Sequence, residues 1–247
     1  PYPRKLGLYQ YTADLRSLDH CRPPPGVIAP VNAAALRGSA VTTPLQWQVW
    51  EQALRHHPDR QFVDLIVAGL REGFRIGFDY ARICRRSKAN MPSVREHPQV
   101  VRDYLAGECA AGRIAGPLAP AWTDTIQVSS FGVIPKGTCG KWRLIVDLSS
   151  PAGASVNDGI DKELCGLTYA SVDQAADIML SLGQGALMAK FDIEHAYRLI
   201  PVHPDDHWLL GMQFEDATYV DTVLPFGLRS APKLFNAVAD TLEWICR

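Results

Sequence analysis

The sequence predicts an α+β fold, an antiparallel sheet carrying helices, with a helical region ahead of it. Three observations lead there. Phe62, Val63, Ile66, Val67 and Leu70 recur at helical spacing between Asp59 and Gly73. Residues 127–135 and 141–148 alternate apolar and polar side chains around a turn bearing Gly137 and Gly140, as paired strands do. Two further strands, 207–214 and 217–224, meet at Glu215-Asp216. With 47% hydrophobic residues in 247, the chain can bury a sizeable core, as one large domain or two small ones.

Taken in order, residues 1–40 are rich in Pro, Arg and Ala and read as an extended leader. Residues 41–92 read as a helical N-terminal region. Thr43 is its expected cap with Pro44 in the first turn, and Leu45, Trp47, Val49, Trp50 and Ala53 supply an apolar face. The tryptophans read as packing residues, with base stacking as the other reading. Arg82, Arg85, Arg86 and Lys88 either track a phosphate backbone or form a solvated basic loop. Ser93 and Glu96 match a capping box ahead of Val100, Val101, Tyr104, Leu105 and Cys109, with Gly112 as the stop. Beyond the first hairpin, residues 151–166 read as loop. Ser171 caps a helix through Ile178, Met179 and Leu182 that closes at Gly183, and a strand spans 186–193. Ser230 and Pro232 open a last helix that is still running at Arg247.

Composition excludes several classes of protein. Six scattered cysteines with no Cys-x-x-Cys pair argue against a zinc site or a disulfide framework and fit a reducing, intracellular setting, cytoplasmic or nuclear. No apolar run approaches a membrane span, and the N-terminus has no apolar signal core. The absence of an initiator Met leads us to expect a piece of a longer protein. Net charge is −1, yet residues 1–128 carry 16 Lys/Arg against 11 Asp/Glu while residues 129–247 carry 9 against 15. An acidic half suits a cation-dependent site and equally an ordinary solvated surface.

The chemistry centres on LMAKFDIEHAYRLIPVHP, residues 187–204. Its apolar run brings Asp192 to the end of an expected buried strand. There the carboxylate serves as a turn former, as a helix cap, or as a ligand to a divalent cation that offsets its desolvation. Tyr197, five residues on, is large enough to wall a small pocket and would also suit a core with its hydroxyl satisfied.

Three blocks stand in order along the chain: GKWRLIVDL from Gly140, the Asp192 block, and LPFGLRSAP from Leu224. Together they resemble the reverse transcriptases of retroelements over residues 93–247. With SVNDGI from Ser155, their wording is most similar to DIRS-like retrotransposons, those mobilised with a tyrosine recombinase. The resemblance implies right-hand polymerase fingers plus a partial palm, RNA-directed DNA synthesis, a primed RNA or DNA template, deoxynucleoside triphosphates, and Mg²⁺ or Mn²⁺. It implies Asp192 as the carboxylate bridging two ions about 4 Å apart, assisted by the Ile193 carbonyl. Arg143 would reach the triphosphate, its guanidinium fork suiting phosphate oxygens. Lys136 is the second cation, with Lys141 as the alternative. Tyr197 would exclude a ribose hydroxyl, which disfavours an RNA polymerase. Phe226 would pack beside the nucleotide, and Gly227 would let the backbone approach it.

The family's remaining carboxylate pair lies in a Tyr-x-Asp-Asp hairpin after the helix that starts near Ser230. Asp205-Asp206 reads as a turn or helix start, and Tyr219-Val220-Asp221-Thr222 has one Asp and lies in the wrong order. Neither is the pair. We therefore expect the 247 residues alone to be inactive and to leave a sheet edge unpaired, with an RNase H or recombinase domain further along the parent protein. The competing reading is a catalytically dead retroelement remnant that at most binds nucleic acid.

Overall fold

A computed structural model of the protein describes residues 8–23, 41–82, 89–118, 126–137, 141–190 and 192–246. The fold is α+β. Helices α1 (Leu8–His20), α2 (Trp47–Ala53), α3 (Arg60–Glu72), α4 (Pro92–Glu96) and α5 (Pro98–Ala110) precede strands β1 (Ile114–Ala115), β2 (Ser130–Lys136) and β3 (Lys141–Asp147). Helix α6 (Val172–Leu182), strands β4 (Gly211–Phe214) and β5 (Ala217–Asp221) and helix α7 (Ala231–Ile245) follow.

The best-formed helix is the one with the strongest local signals. The Asp59 carboxylate accepts from the Phe62 amide at 2.9 Å, Gly73 closes α3, and its buried face is Phe62, Val63, Ile66, Val67 and Leu70. That face packs with Leu15 and Leu18 of α1, with Phe74, Ile76 and Phe78 after α3, and with Leu234, Ala237 and Val238 of α7. Each such fully buried side chain contributes about 1.5–3 kcal/mol relative to an exposed one. Trp47, Trp50 and Trp244 pack on Leu54, Val63 and Val67, so these tryptophans serve packing.

The strands form two antiparallel sheets. β2 and β3 pair from Ser130 opposite Asp147 to Lys136 opposite Lys141. The other sheet has the order β1-β5-β4, with β4 and β5 joined through the Glu215-Asp216 turn, where Glu215 takes a positive φ of 53°. Val94, Val101 and Leu105 cover Phe131, Val133 and Leu144 of the hairpin and Met212 and Phe214 of β4, which makes a second core.

Two buried ion networks join these layers. The Arg198 guanidinium donates to Glu108 at 2.7 Å and meets Asp221 at 2.6 Å, with its side chain 4% exposed. Arg113 pairs with the same Glu108. Burial would raise the Glu108 carboxyl, but its hydrogen bonds and charge contacts with Arg113 and Arg198 hold it below its ordinary value. In the second network Arg75 meets Asp205 and Asp206, each at 3.0 Å, while Asp206 also accepts from the Tyr80 hydroxyl and the Ile76 amide. Both acid motifs set aside in the sequence therefore have structural work, Asp205-Asp206 at the start of a 3₁₀ turn (Pro204–Leu209) and Asp221 beneath Arg198.

Several expectations are corrected. The leader contains α1, whose Leu15 and Leu18 are core residues; residues 24–40 lie outside the described part, as do Arg85, Arg86 and Lys88. Thr43 caps no helix: its hydroxyl donates to the Leu199 carbonyl at 2.7 Å and Gln46 precedes α2. Ser93 forms no capping box, because its oxygen accepts from the Val133 amide of β2. Residues 207–210 belong to the 3₁₀ turn and the bend after it, so the strand begins at Gly211.

The strand expected over 186–193 is absent among the described residues, with Leu187 96% and Met188 73% exposed. An apolar run becomes a strand only when a neighbour takes up its backbone groups, and none does so here. Helix α6 has the predicted Ser171 cap, completed as a capping box by Gln174, but buries no residue. Its ends follow from local chemistry while its packing does not.

Two measurements test this account. Arg198→Ala leaves Glu108 and Asp221 buried without their shared cation, and urea denaturation is expected to show a loss of about 3–5 kcal/mol; a loss under about 1 kcal/mol would contradict the network. Burial raises the Asp206 carboxyl to about 6 despite Arg75 and its hydrogen bonds. Because the folded state holds that proton more tightly than the unfolded chain, this contribution to stability is full below about pH 4. It is lost as pH rises through about 6. Asp206→Asn is expected to lower overall stability, since Arg75 loses a partner, and to flatten the slope between those limits in thermal melts.

Candidate functional site

Asn157 holds the ends of several chain segments together. It opens the 3₁₀ turn Asn157–Gly159 and is 5% exposed. Its backbone amide donates to the Leu148 carbonyl at 2.9 Å, just past β3. Its side-chain nitrogen donates to the Ser149 hydroxyl and the Gly227 carbonyl, both at 2.9 Å, and its oxygen accepts from the Arg229 amide at 2.8 Å. The Arg229 guanidinium adds a bond to the Ile160 carbonyl at 2.8 Å.

That clamp lays the loop through Phe226 and Gly227 against β3. Gly227 has φ +93°, and a Cβ there would lie 2.7 Å from the Val146 carbonyl oxygen, so both conformation and space call for glycine. Phe226, 45% exposed, stands 5.2 Å from the Tyr197 ring, which meets Phe235 of α7 edge-on at 5.5 Å. Partial burial raises the Tyr197 hydroxyl above its ordinary value, so it stays a neutral phenol at physiological pH. Tyr197 lies in the 3₁₀ turn Ala196–Leu199, entered through His195 in the left-handed region at φ 58°. The next residue is Arg198, whose buried bonds to Glu108 and Asp221 tether that turn to α5 and β5.

Of the sequence-derived site residues, Tyr197, Phe226 and Gly227 are thus brought into one half-open aromatic corner. Arg143 and Lys136 are exposed on the hairpin. Ile134 pairs with Arg143 and Lys136 with Lys141, so strand alternation places Lys136 and Arg143 on one face, away from the buried Leu144. Asp147, at the end of β3, has a structural role, accepting from the Ser149 amide at 3.1 Å.

Asp192 and Ile193 are not drawn into this corner by any bond or ring contact. Both are exposed, and the Ile193 carbonyl accepts from the Ala196 amide at 3.4 Å in the turn before Tyr197. The buried strand end expected for Asp192 is not observed. Among the described residues no group of three or more His, Cys, Asp or Glu side chains converges on a metal position. One exposed carboxylate does not hold a pair of Mg²⁺ ions against water, so the residues described do not by themselves fit a two-metal centre. No helix among them is long and apolar enough to cross a membrane.

No family model matches the chain. In sequence it is similar to a retroviral polyprotein. Over 113 residues, 45% of the chain, it is 27% identical to the Pro-Pol polyprotein of feline foamy virus. The match spans 9% of that polyprotein's length. Among solved structures it is similar to native prototype foamy virus protease-reverse transcriptase, with 24% identity over 65% of this chain and 19% of that one and a TM-score of 0.42. It is similar also to a foamy viral protease-reverse transcriptase in complex with an RNA/DNA hybrid, at 15% identity over 83% and 28% and a TM-score of 0.48.

Within SVNDGI the sequence signal for Asn157 is its place before Asp-Gly, turn chemistry in which an Asn side chain bonds the backbone; its burial and distant partners are visible only in the fold. Arg198 gave no such signal, because its partners lie far away in sequence.

Gly227→Ala must relieve the positive φ or push back Val146. It is expected to cost about 1–3 kcal/mol in chemical denaturation and to shift the NMR signals of Phe226 and Tyr197. Unchanged stability would show that the loop is free to relax.

Proposed function

We propose that the chain is part of an RNA-directed DNA polymerase of a retroelement, of the DIRS-like kind suggested by its motif wording, containing fingers and part of the palm. The observation that carries this reading is the meeting of four separate sequence blocks at one corner. The end of GKWRLIVDL, Asn157 of SVNDGI, Tyr197 of the Asp192 block, and Phe226-Gly227 of LPFGLRSAP are joined there by hydrogen bonds and ring contacts. The 27% identity to a foamy-virus Pro-Pol polyprotein supports it in sequence.

In this reading the Tyr197 and Phe226 rings receive the sugar and base of an incoming deoxynucleotide, and the neutral tyrosine leaves no room for a 2′-hydroxyl. Arg143 and Lys136 on the outer face of the hairpin meet phosphate oxygens, each charge-assisted hydrogen bond contributing about 1.5–3 kcal/mol. A primed RNA or DNA template is the macromolecular partner. Mg²⁺ or Mn²⁺ belongs to this reading only where further carboxylates join Asp192, in the complete enzyme.

The isolation of Asp192 favours a second reading, a remnant that binds nucleic acid without copying it. Primer extension on an RNA template separates the two. The 247 residues alone are expected to add no nucleotide with either metal. The full reading frame of the source gene is expected to add deoxynucleotides, to lose at least roughly 100-fold in rate with Asp192→Asn, and to accept ribonucleotides with Tyr197→Ala. A full-length protein that binds an RNA/DNA hybrid and adds nothing would establish the remnant instead.

A further inference from the structure

We infer that Asn157 is a positioning residue for nucleotide selection: its amide presets the loop on which Phe226 faces Tyr197, and so sets the width of the sugar pocket. For its nucleotide half the inference rests on the polymerase reading; for the loop it rests on geometry alone.

The loop has few other holds on its backbone. Gly227 is exposed, and its positive φ leaves it among the more easily rotated backbone positions. What resists rotation is one side chain that donates to the Gly227 carbonyl and accepts from the Arg229 amide, spanning the bend from both sides. The same nitrogen reaches the Ser149 hydroxyl, and the Asn157 backbone amide bonds Leu148, so the loop is referenced to the end of β3 rather than to itself. A buried primary amide supplies two donors and an acceptor within one rigid plane. Aspartate has nearly the same shape but, when ionised, only acceptors, so it would set a negative charge against the Gly227 carbonyl. Protonated, it regains a donor. Asparagine is therefore required for its hydrogens, and that requirement can be titrated.

The test uses the 247-residue chain with Asn157→Ala and Asn157→Asp, followed by amide hydrogen exchange corrected for the intrinsic effect of pH. In N157A the Arg229 amide is expected to exchange at least tenfold faster, while amides in α3 keep wild-type rates. In N157D protection of the loop is expected to be poor at pH 8 and to return as pH falls to 5, with no such recovery in N157A. Amides in α3 that keep their protection in N157D at both pH values exclude a general loss of folding as the source of that result. The dissociation constants of dUTP and UTP in Mg²⁺ buffer, from NMR titration, give the second readout, since the two differ only at the 2′ position. Wild type is expected to prefer dUTP by roughly tenfold, and N157A to bring the ratio near one.

Wild-type protection of Arg229 in N157A, or an N157D loop indifferent to pH, overturns the clamp. An opened loop with an unchanged dUTP-to-UTP ratio overturns the role in selection and leaves a structural bond. If wild type binds neither nucleotide, the nucleotide half falls, primer extension by the full reading frame decides the polymerase reading, and the exchange rates still decide the loop.

Discussion

The arrangement depends on one buried guanidinium. Arg198 lies between Glu108 of α5 and Asp221 of β5, and all three side chains are withdrawn from water. Desolvation of the guanidinium works against its charge, and the carboxylates of Asp221 and Glu108 together with Tyr104 more than reverse this, so Arg198 is held charged more firmly than in water. Such a network adds little net stability over a hydrophobic equivalent, but it tolerates only one geometry, since any shift strands a charge. Tyr197 precedes Arg198 and inherits that fixed position.

The aromatic corner is assembled from parts of different stiffness. On one side is the end of a seven-residue strand paired along its full length. On the other is a glycine turn with a positive φ, held on both sides by the Asn157 amide and further on by the bond of Arg229 to Ile160. A site built this way keeps its wall rigid while leaving Phe226 partly exposed. The hairpin carries Arg143 and Lys136 on regular backbone, where alternation sets their direction.

The segment from Gly166 to Asp192 behaves differently. α6 has a capping box and a glycine stop, yet Val172 is 85% and Leu180 79% exposed, and Leu187 and Met188 after it are equally bare. A helix closes its own hydrogen bonds and can form on local signals; a strand cannot. The same physics explains why the expected carboxylate position is lost. Asp192 was placed by a strand, and the strand has no partner among the described residues.

By itself the sequence determined those elements whose boundaries are made by neighbours in the chain: α3 between Asp59 and Gly73, α6 between Ser171 and Gly183, the β2-β3 hairpin and the Glu215-Asp216 turn. It also made Tyr197, Phe226 and Gly227 legible as candidates, because whole blocks of residues resembled a known family. A cap read from a short motif failed where a tertiary partner competed for the same atom, as the Val133 amide does for the Ser93 oxygen, while the Thr43 oxygen accepts from Leu45 in a turn ahead of the helix. Only the tertiary structure decided that Asn157 clamps the loop, that Arg198 anchors the turn, that Asp206 and Asp221 serve charge pairs, and that residues 186–193 stay unpaired among the described residues. The first three outcomes turn on bonds between groups tens of residues apart and the last on the lack of such a partner, and periodicity and capping carry no information about such pairs until the chain has closed on itself.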